Sequence, residues 1–321
     1  MKNVMKKSAV WTSLILVSQL AFAGEKVDSE LKAGAGDVIE IEHLNGYAKI
    51  EGWDKDLVHV KGELDENAEG LTFERTRQGV KIEVEMPSRY RRLANDDYTK
   101  GDKLVIKVPH ESRVNYSSVN AQVDARKLYK ALALETVNGE VEVEDVKGKI
   151  YIESVNGDVS TRNLQGAIRI ETVNGDLDDK GSTAKKLVVE SVNGDIESDM
   201  KSKEARIETV NGDIKLDLGD VSRLEMTTVN GTIDTHLNLL KDGDVEVTSV
   251  GGKINLTLQK DVSAKFEINT HAGGRIINDL TSDKPEKPKY GPSRSLEFST
   301  HNASADVEIE SVSGRIHLKS K

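Results

Sequence analysis

One tetrapeptide, Ser/Thr-Val-Asn-Gly, returns along this chain at a nearly constant interval, and that periodicity restricts the fold more than any other feature. The series opens with Ser118-Val119-Asn120-Ala121 and continues with Thr136-Val137-Asn138-Gly139, Ser154-Val155-Asn156-Gly157 and Thr172-Val173-Asn174-Gly175. It goes on through Ser191-Val192-Asn193-Gly194, Thr209-Val210-Asn211-Gly212 and Thr228-Val229-Asn230-Gly231. Successive asparagines lie 18, 18, 18, 19, 18 and 19 residues apart. Degenerate copies follow at Ser249-Val250-Gly251-Gly252, Thr270-His271-Ala272-Gly273 and Ser311-Val312-Ser313-Gly314, and an early one stands at His43-Leu44-Asn45-Gly46. A fixed period of this length means stacked supersecondary units, none of which can bury its own apolar face alone.

The flanks define the unit. An alternating segment such as Ile168-Arg169-Ile170-Glu171 precedes each motif, and Asp plus an aliphatic residue, such as Asp176-Leu177, follows it. Alternation with period two marks half-buried strands. Asn-Gly supplies the positive φ angles of a tight corner. Two architectures satisfy this pattern. In a right-handed β-helix, or β-solenoid, coils of roughly 18 residues stack in parallel and equivalent residues form columns. In an antiparallel meander, each Asn-Gly caps a hairpin. Stacking requires neighbouring units to repeat the same residues and a meander does not, so the all-β solenoid is the expected fold. The absence of proline between His110 and Lys284 agrees, because a central ladder needs every N–H.

The remaining chain divides around the repeats. Residues 1–23 read as a secretory signal peptide: Lys2, Lys6 and Lys7, an apolar run from Ala9 to Leu20, and the cleavage pattern Ala21-Phe22-Ala23. Residues 24–116 are expected to form an N-terminal cap and irregular coils, and 117–280 the regular solenoid. Residues 281–295 form a Pro-rich surface loop, and 296–321 the C-terminal closing strands. Terminal units of such arrays depart from the consensus because they must shield an open edge.

Charge narrows the functions. The chain has 55 acidic against 45 basic side chains, and loss of the leader removes lysines only. Nucleic acid is excluded as a partner, since its phosphates demand a basic face. No later segment has the length of a membrane helix, so the chain does not span a membrane by helices. There is no cysteine, hence neither a disulfide nor a lipid anchor on one. Few aromatic residues beside abundant Val, Ile, Thr, Asn and Gly suit a thin repetitive core.

The Ser/Thr-Val-Asn-Gly-Asp-Val/Ile/Leu units resemble a large bacterial family of adhesin-like proteins built on a domain of unknown function. Asn45-Gly46 with Gly52-Trp53-Asp54, Lys107-Val108-Pro109, and Ser311-Val312-Ser313-Gly314-Arg315 extend the resemblance over nearly all of the mature chain. It implies a right-handed β-helix and an envelope or surface location. It assigns no activity and no binding residue.

Candidate residues follow from the columns. Asn120, Asn138, Asn156, Asn174, Asn193, Asn211 and Asn230 are expected to bond amide to amide along the axis as a structural turn column. Glu135, Glu153, Glu171, Glu190 and Glu208 precede the motif, and Asp158, Asp176, Asp195 and Asp213 follow it. Carboxylates at strand spacing repel by about 0.9 kcal/mol per pair in a water-like dielectric. Ca²⁺ would offset this, making the Asp column a candidate cation or ligand face and a calcium-stabilised surface repeat an alternative function. The bland offset is neighbouring Arg169 and Arg206, and the Gly-Gly-x-Gly-x-Asp pattern of calcium-binding β-rolls is absent. Arg89, Arg91 and Arg92 form a compact basic cluster that could meet an anionic partner such as lipopolysaccharide. No catalytic residue, cofactor site or metal-ligand spacing is evident. A β-helix enzyme acting on acidic polysaccharide would need irregular residues converging in a groove, where this sequence stays regular. The reading is therefore a non-enzymatic exported envelope protein, periplasmic with secretion or surface display as alternatives. It would serve as scaffold or adhesin-like module for an envelope protein or glycan.

Overall fold

In the computed structural model the described residues are 24–87 and 101–321. The leader expectation and the Arg89, Arg91, Arg92 cluster lie outside them. Among the described residues there is no helix, and none therefore that could cross a membrane.

The repeats stack in parallel, which rules out the meander. In register, Ile150 lies over Ile168, Ile152 over Ile170, Glu153 over Glu171 and Asn156 over Asn174. Each coil has a long strand (such as Lys147–Asn156), the Asn-Gly corner, a short strand (such as Val159–Arg162) and a return turn. Long strands stack on long strands as a first wall, and short on short as a second. The return turn stacks as well, with Lys127, Asp145 and Asn163 each left-handed at φ 58, 55 and 54° and Leu128, Val146 and Leu164 buried beneath. Where the interval first lengthens to 19, between Asn174 and Asn193, the extra residue is Lys185. The ladder skips it at a bulge, pairing Gly166 with Ala184 and Ala167 with Lys186.

Inward columns form one core. Leu132, Ile150, Ile168 and Leu187 make one column, and Val141, Val159, Leu177 and Ile196 another, all at most 2% exposed. Burying each such side chain is worth about 1.5–3 kcal/mol. One column carries a charge inward. Asp179 is 2% exposed and accepts hydrogen bonds from Thr161 (2.6 Å), Ser182 (2.5 Å) and Ser198 (3.3 Å). Burial raises its carboxyl above the ordinary 3.8 despite those three hydroxyls. A raised folded value means that its contribution is fully present below 3.8 and is lost as pH rises through the folded value. Asp179→Asn keeps one acceptor, Oδ1, for Thr161 and Ser182 and turns the oxygen that faces Ser198 into an amide donor to that hydroxyl, without the buried charge. We expect it to raise the melting temperature at pH 7, with an advantage over the parent that shrinks below pH 3.8; an equal advantage at both pH values would refute this account.

Both ends break sequential order. The coil Val38–Trp53 lies inside the stack, between Arg113–Arg126 on one side and Gly79–Glu85 with Asp102–Pro109 on the other. At the far end, Asp306–Ser311 and Arg315–Ser320 insert between Thr232–Leu258 and the strands Lys265–Thr270 and Arg275–Asn278. Antiparallel strands then cover the exposed ladders: Gly70–Arg75 and Leu57–Glu63, the latter flanked in turn by Lys26–Lys32, at one end, and Arg294–Ser299 at the other. A parallel stack has two unpaired edges that invite association, and these reversals blunt them.

Candidate functional site

The corner is the most repeated object in the molecule, and its polar groups are mostly committed to one another. Each Asn Nδ2 donates to the Oδ1 of the preceding coil: Asn138 to Asn120 at 2.6 Å, Asn156 to Asn138 and Asn174 to Asn156 at 2.9 Å. The ladder continues through Asn193, Asn211 and Asn230 (2.9, 2.9 and 3.1 Å). It also reaches back to Asn45, whose Oδ1 accepts from Asn120 at 3.1 Å. It ends at Gly251, where a side chain is missing but not forbidden. A Cβ there would meet nothing nearer than Asn230 Oδ1 at 3.8 Å, and the backbone is not left-handed. Gly251→Asn should therefore add one rung and about 0.5–1.5 kcal/mol of stability, read as a rise in urea midpoint. A fall would mean that the corner cannot accept the longer side chain.

The Asp column is also built into the corner. Asp158 accepts the backbone N–H of Asp176 (2.9 Å), Asp176 that of Asp195 (2.8 Å), and Asp195 that of Asp213 (2.7 Å). Asp213 accepts from Thr232 at 2.7 Å. One oxygen of each carboxylate is thus used between coils, a charge-assisted bond that offsets the repulsion. Among the described residues no three His, Asp or Glu side chains are disposed to hold one metal ion. Two arginines in the neighbouring column meet three members of the Glu column, Glu171, Glu190 and Glu208. Arg169 bridges Glu171 and Glu190 (3.0 Å to the latter), and Arg206 bridges Glu208 and Glu225 (3.0 Å to the latter).

The motif valines turn outward. Alternation continues unbroken from Ile170 (in) through Glu171 (out) and Thr172 (in) to Val173 (out). Six of the seven exposed large hydrophobics among the described residues are motif valines: Val137, Val173, Val192, Val210, Val250 and Val312, at 37–47% exposure. They form an apolar rib beside the Asn ladder. The motif alone does not assign a face to its valine; carrying the period of two from Ile170 three residues further does.

A second feature lies on the outer face of the first wall, at its N-terminal half. Small side chains at Ala131, Ala133 and Ala167, with Val188 and the ring of Tyr151, floor a trough of about 470 Å³. Its charged lining is Arg113, Lys149, Arg169 and Lys186, with no carboxylate. Arg169 is occupied by its two glutamates, whereas the other three form no ion pair among the described residues. Tyr151 donates its hydroxyl to Glu153 at 2.5 Å. Farther along the same face the register brings together Glu225, Glu246, Glu308 and Glu267. Desolvation, and then Glu267, Glu310, Glu246 and Asp244, hold the Glu308 carboxyl above its usual range.

A third cluster is buried. His43 occupies the position of the motif Ser/Thr in the inner N-terminal coil, and its Nδ1 bonds Tyr116 Oη at 3.0 Å. Its Nε2 lies 3.2 Å from Asp102 Oδ2, without the alignment of a hydrogen bond. His43, Asp102 and Tyr116 are 3%, 1% and 2% exposed. Nothing in the repeat pattern marked this trio, since its members come from separate coils.

Several solved structures are similar to the chain at low identity. A proposed cell-adhesion protein from Clostridium sporogenes is 12% identical, covering 92% of this chain and 100% of that one, with a TM-score of 0.24. A proposed lipid-binding protein from Parabacteroides distasonis is 13% identical over 92% and 97%, with a TM-score of 0.40. A proposed adhesin from Bacteroides fragilis is 11% identical over 92% and 98%, with a TM-score of 0.37. No curated protein is significantly similar to the chain. The family model described as Toastrack DUF4097 matches residues 37–319, almost the whole of the stacked structure from its first inner coil to its last strand, and the chain belongs to that family.

Proposed function

We propose that this protein is a non-catalytic, exported binding module or scaffold of the cell envelope, which meets its partner along the valine rib. The observation that carries this reading is the rib itself. From Val137 to Val312 it crosses seven coil steps, about 34 Å at strand spacing. Isolated surface valines need no explanation, but a line of them held open in register marks an interaction surface. Catalysis finds little support, because the His43, Asp102 and Tyr116 side chains are buried and the exposed columns repeat rather than converge.

The test compares immobilised parent protein with a Val173→Glu, Val192→Glu, Val210→Glu variant in envelope extracts. These side chains point to solvent, so the variant should stay folded and melt lower only by the repulsion of its stacked carboxylates, about 0.9 kcal/mol per pair, while losing the species that the parent retains. Identical retention by both, or none by either, would end the proposal. Export is tested separately: protein recovered from the envelope fraction should begin at Gly24.

A further inference from the structure

The trough on the first wall is a separate feature from the rib, and its lining runs against the character of the molecule. In a chain with more acidic than basic side chains, all of its charged lining is cationic. Arg113, Lys149 and Lys186 share one column, separated by Ala131 and Ala167. That column spans four coil steps, about 19 Å. Their mutual repulsion is relieved by no carboxylate partner among the described residues.

We propose that this trough binds an anionic amphiphile, its apolar chain lying along the solenoid axis on the alanine floor and its phosphate or carboxylate head held by Lys149 and Lys186. Three observations select this chemistry. The floor is apolar, and its volume falls within the range of small-ligand sites. It offers few groups to the hydroxyls of a sugar: Asn115 and Tyr151 are its only uncharged polar side chains, and the Tyr151 hydroxyl already donates to Glu153. The stacked glutamates beyond Arg206 bar an anion from the other half of the face, confining the ligand to the N-terminal half.

The test is calorimetric titration of the full mature chain with dodecyl phosphate and with dodecanoate, below the concentrations at which they form micelles. Dodecyl maltoside supplies the tail with a neutral head, and inorganic phosphate the head without a tail. Both anionic amphiphiles should bind at least about tenfold more tightly than either control. Lys149→Gln with Lys186→Gln should weaken them by about tenfold or more, and Ala133→Leu with Ala167→Leu, which fills the floor, should do the same without lowering the melting temperature. Lys203→Gln, outside the trough, should leave binding unchanged. Equal affinity for the maltoside or for inorganic phosphate overturns the proposal, as does binding indifferent to both double variants. The glutamate substitutions on the rib should not alter this binding, so failure at one surface is distinguishable from failure at the other.

Discussion

Gly157→Ala is expected to destabilise the protein by about 2–5 kcal/mol, a large share of the total for a domain. Two costs add at this corner. The residue sits at φ +146°, which side-chain-bearing residues rarely adopt, and a Cβ would lie 2.2 Å from the carbonyl oxygen of Gly139 in the adjacent coil. That obstacle is backbone held by the ladder, with Gly139 N–H donating to Asn156 at 3.0 Å, so it cannot rotate away. The corner must open, straining the Asn and Asp bonds on either side. Gly34→Ala is the matched control. It has no atom within 4 Å of the added methyl and no left-handed backbone, and should change stability by no more than about 0.5 kcal/mol. Urea midpoints that are the same for both variants would show that the coils are not as tightly apposed as the contacts imply.

His43→Ala should cost about 3–5 kcal/mol, because it strands the Asp102 carboxylate and the Tyr116 hydroxyl away from water. Asp102→Ala should cost a similar amount, leaving the buried imidazole without its neighbouring carboxylate and the Asp65 amide without the acceptor it reaches at 2.6 Å. The double variant should lose less than the two singles together, since much of the expense lies in leaving one polar partner buried beside the gap left by the other. Additive losses in thermal or urea unfolding would refute this coupling. The effect matters to architecture because His43 belongs to the inner coil and Asp102 to the outer one. The pair ties the displaced N-terminal coil to its cover.

The regular part of the fold was readable because each repeat states the same local instructions. Asn174-Gly175 specifies a corner, Ile168 and Ile170 specify an inward face, and identity between units specifies parallel stacking in register. The asparagines of successive corners are joined amide to amide, and the ladder takes in Asn45 as well. The Asp column is present too, but its role was not readable: only the stacked backbone shows that Asp158 reaches the amide of Asp176. The trough was likewise hidden. Ala131, Ala133 and Ala167 look unremarkable along the chain, and become a floor only when coils 18 residues apart lie side by side.

The sequence alone therefore determined an all-β stack of 18-residue coils with an asparagine seam, because period and corner chemistry are local properties that recur in every unit. Tertiary structure decided which coil lies next to which at the two ends, where Val38–Trp53 and Asp306–Ser320 enter the stack out of chain order. It also decided the His43–Asp102 pair and the cationic trough. The physical reason is common to these cases. Each depends on contacts between segments far apart in the chain, and their energies come from burial and from charges brought within a few ångströms, which no spacing along a single strand encodes.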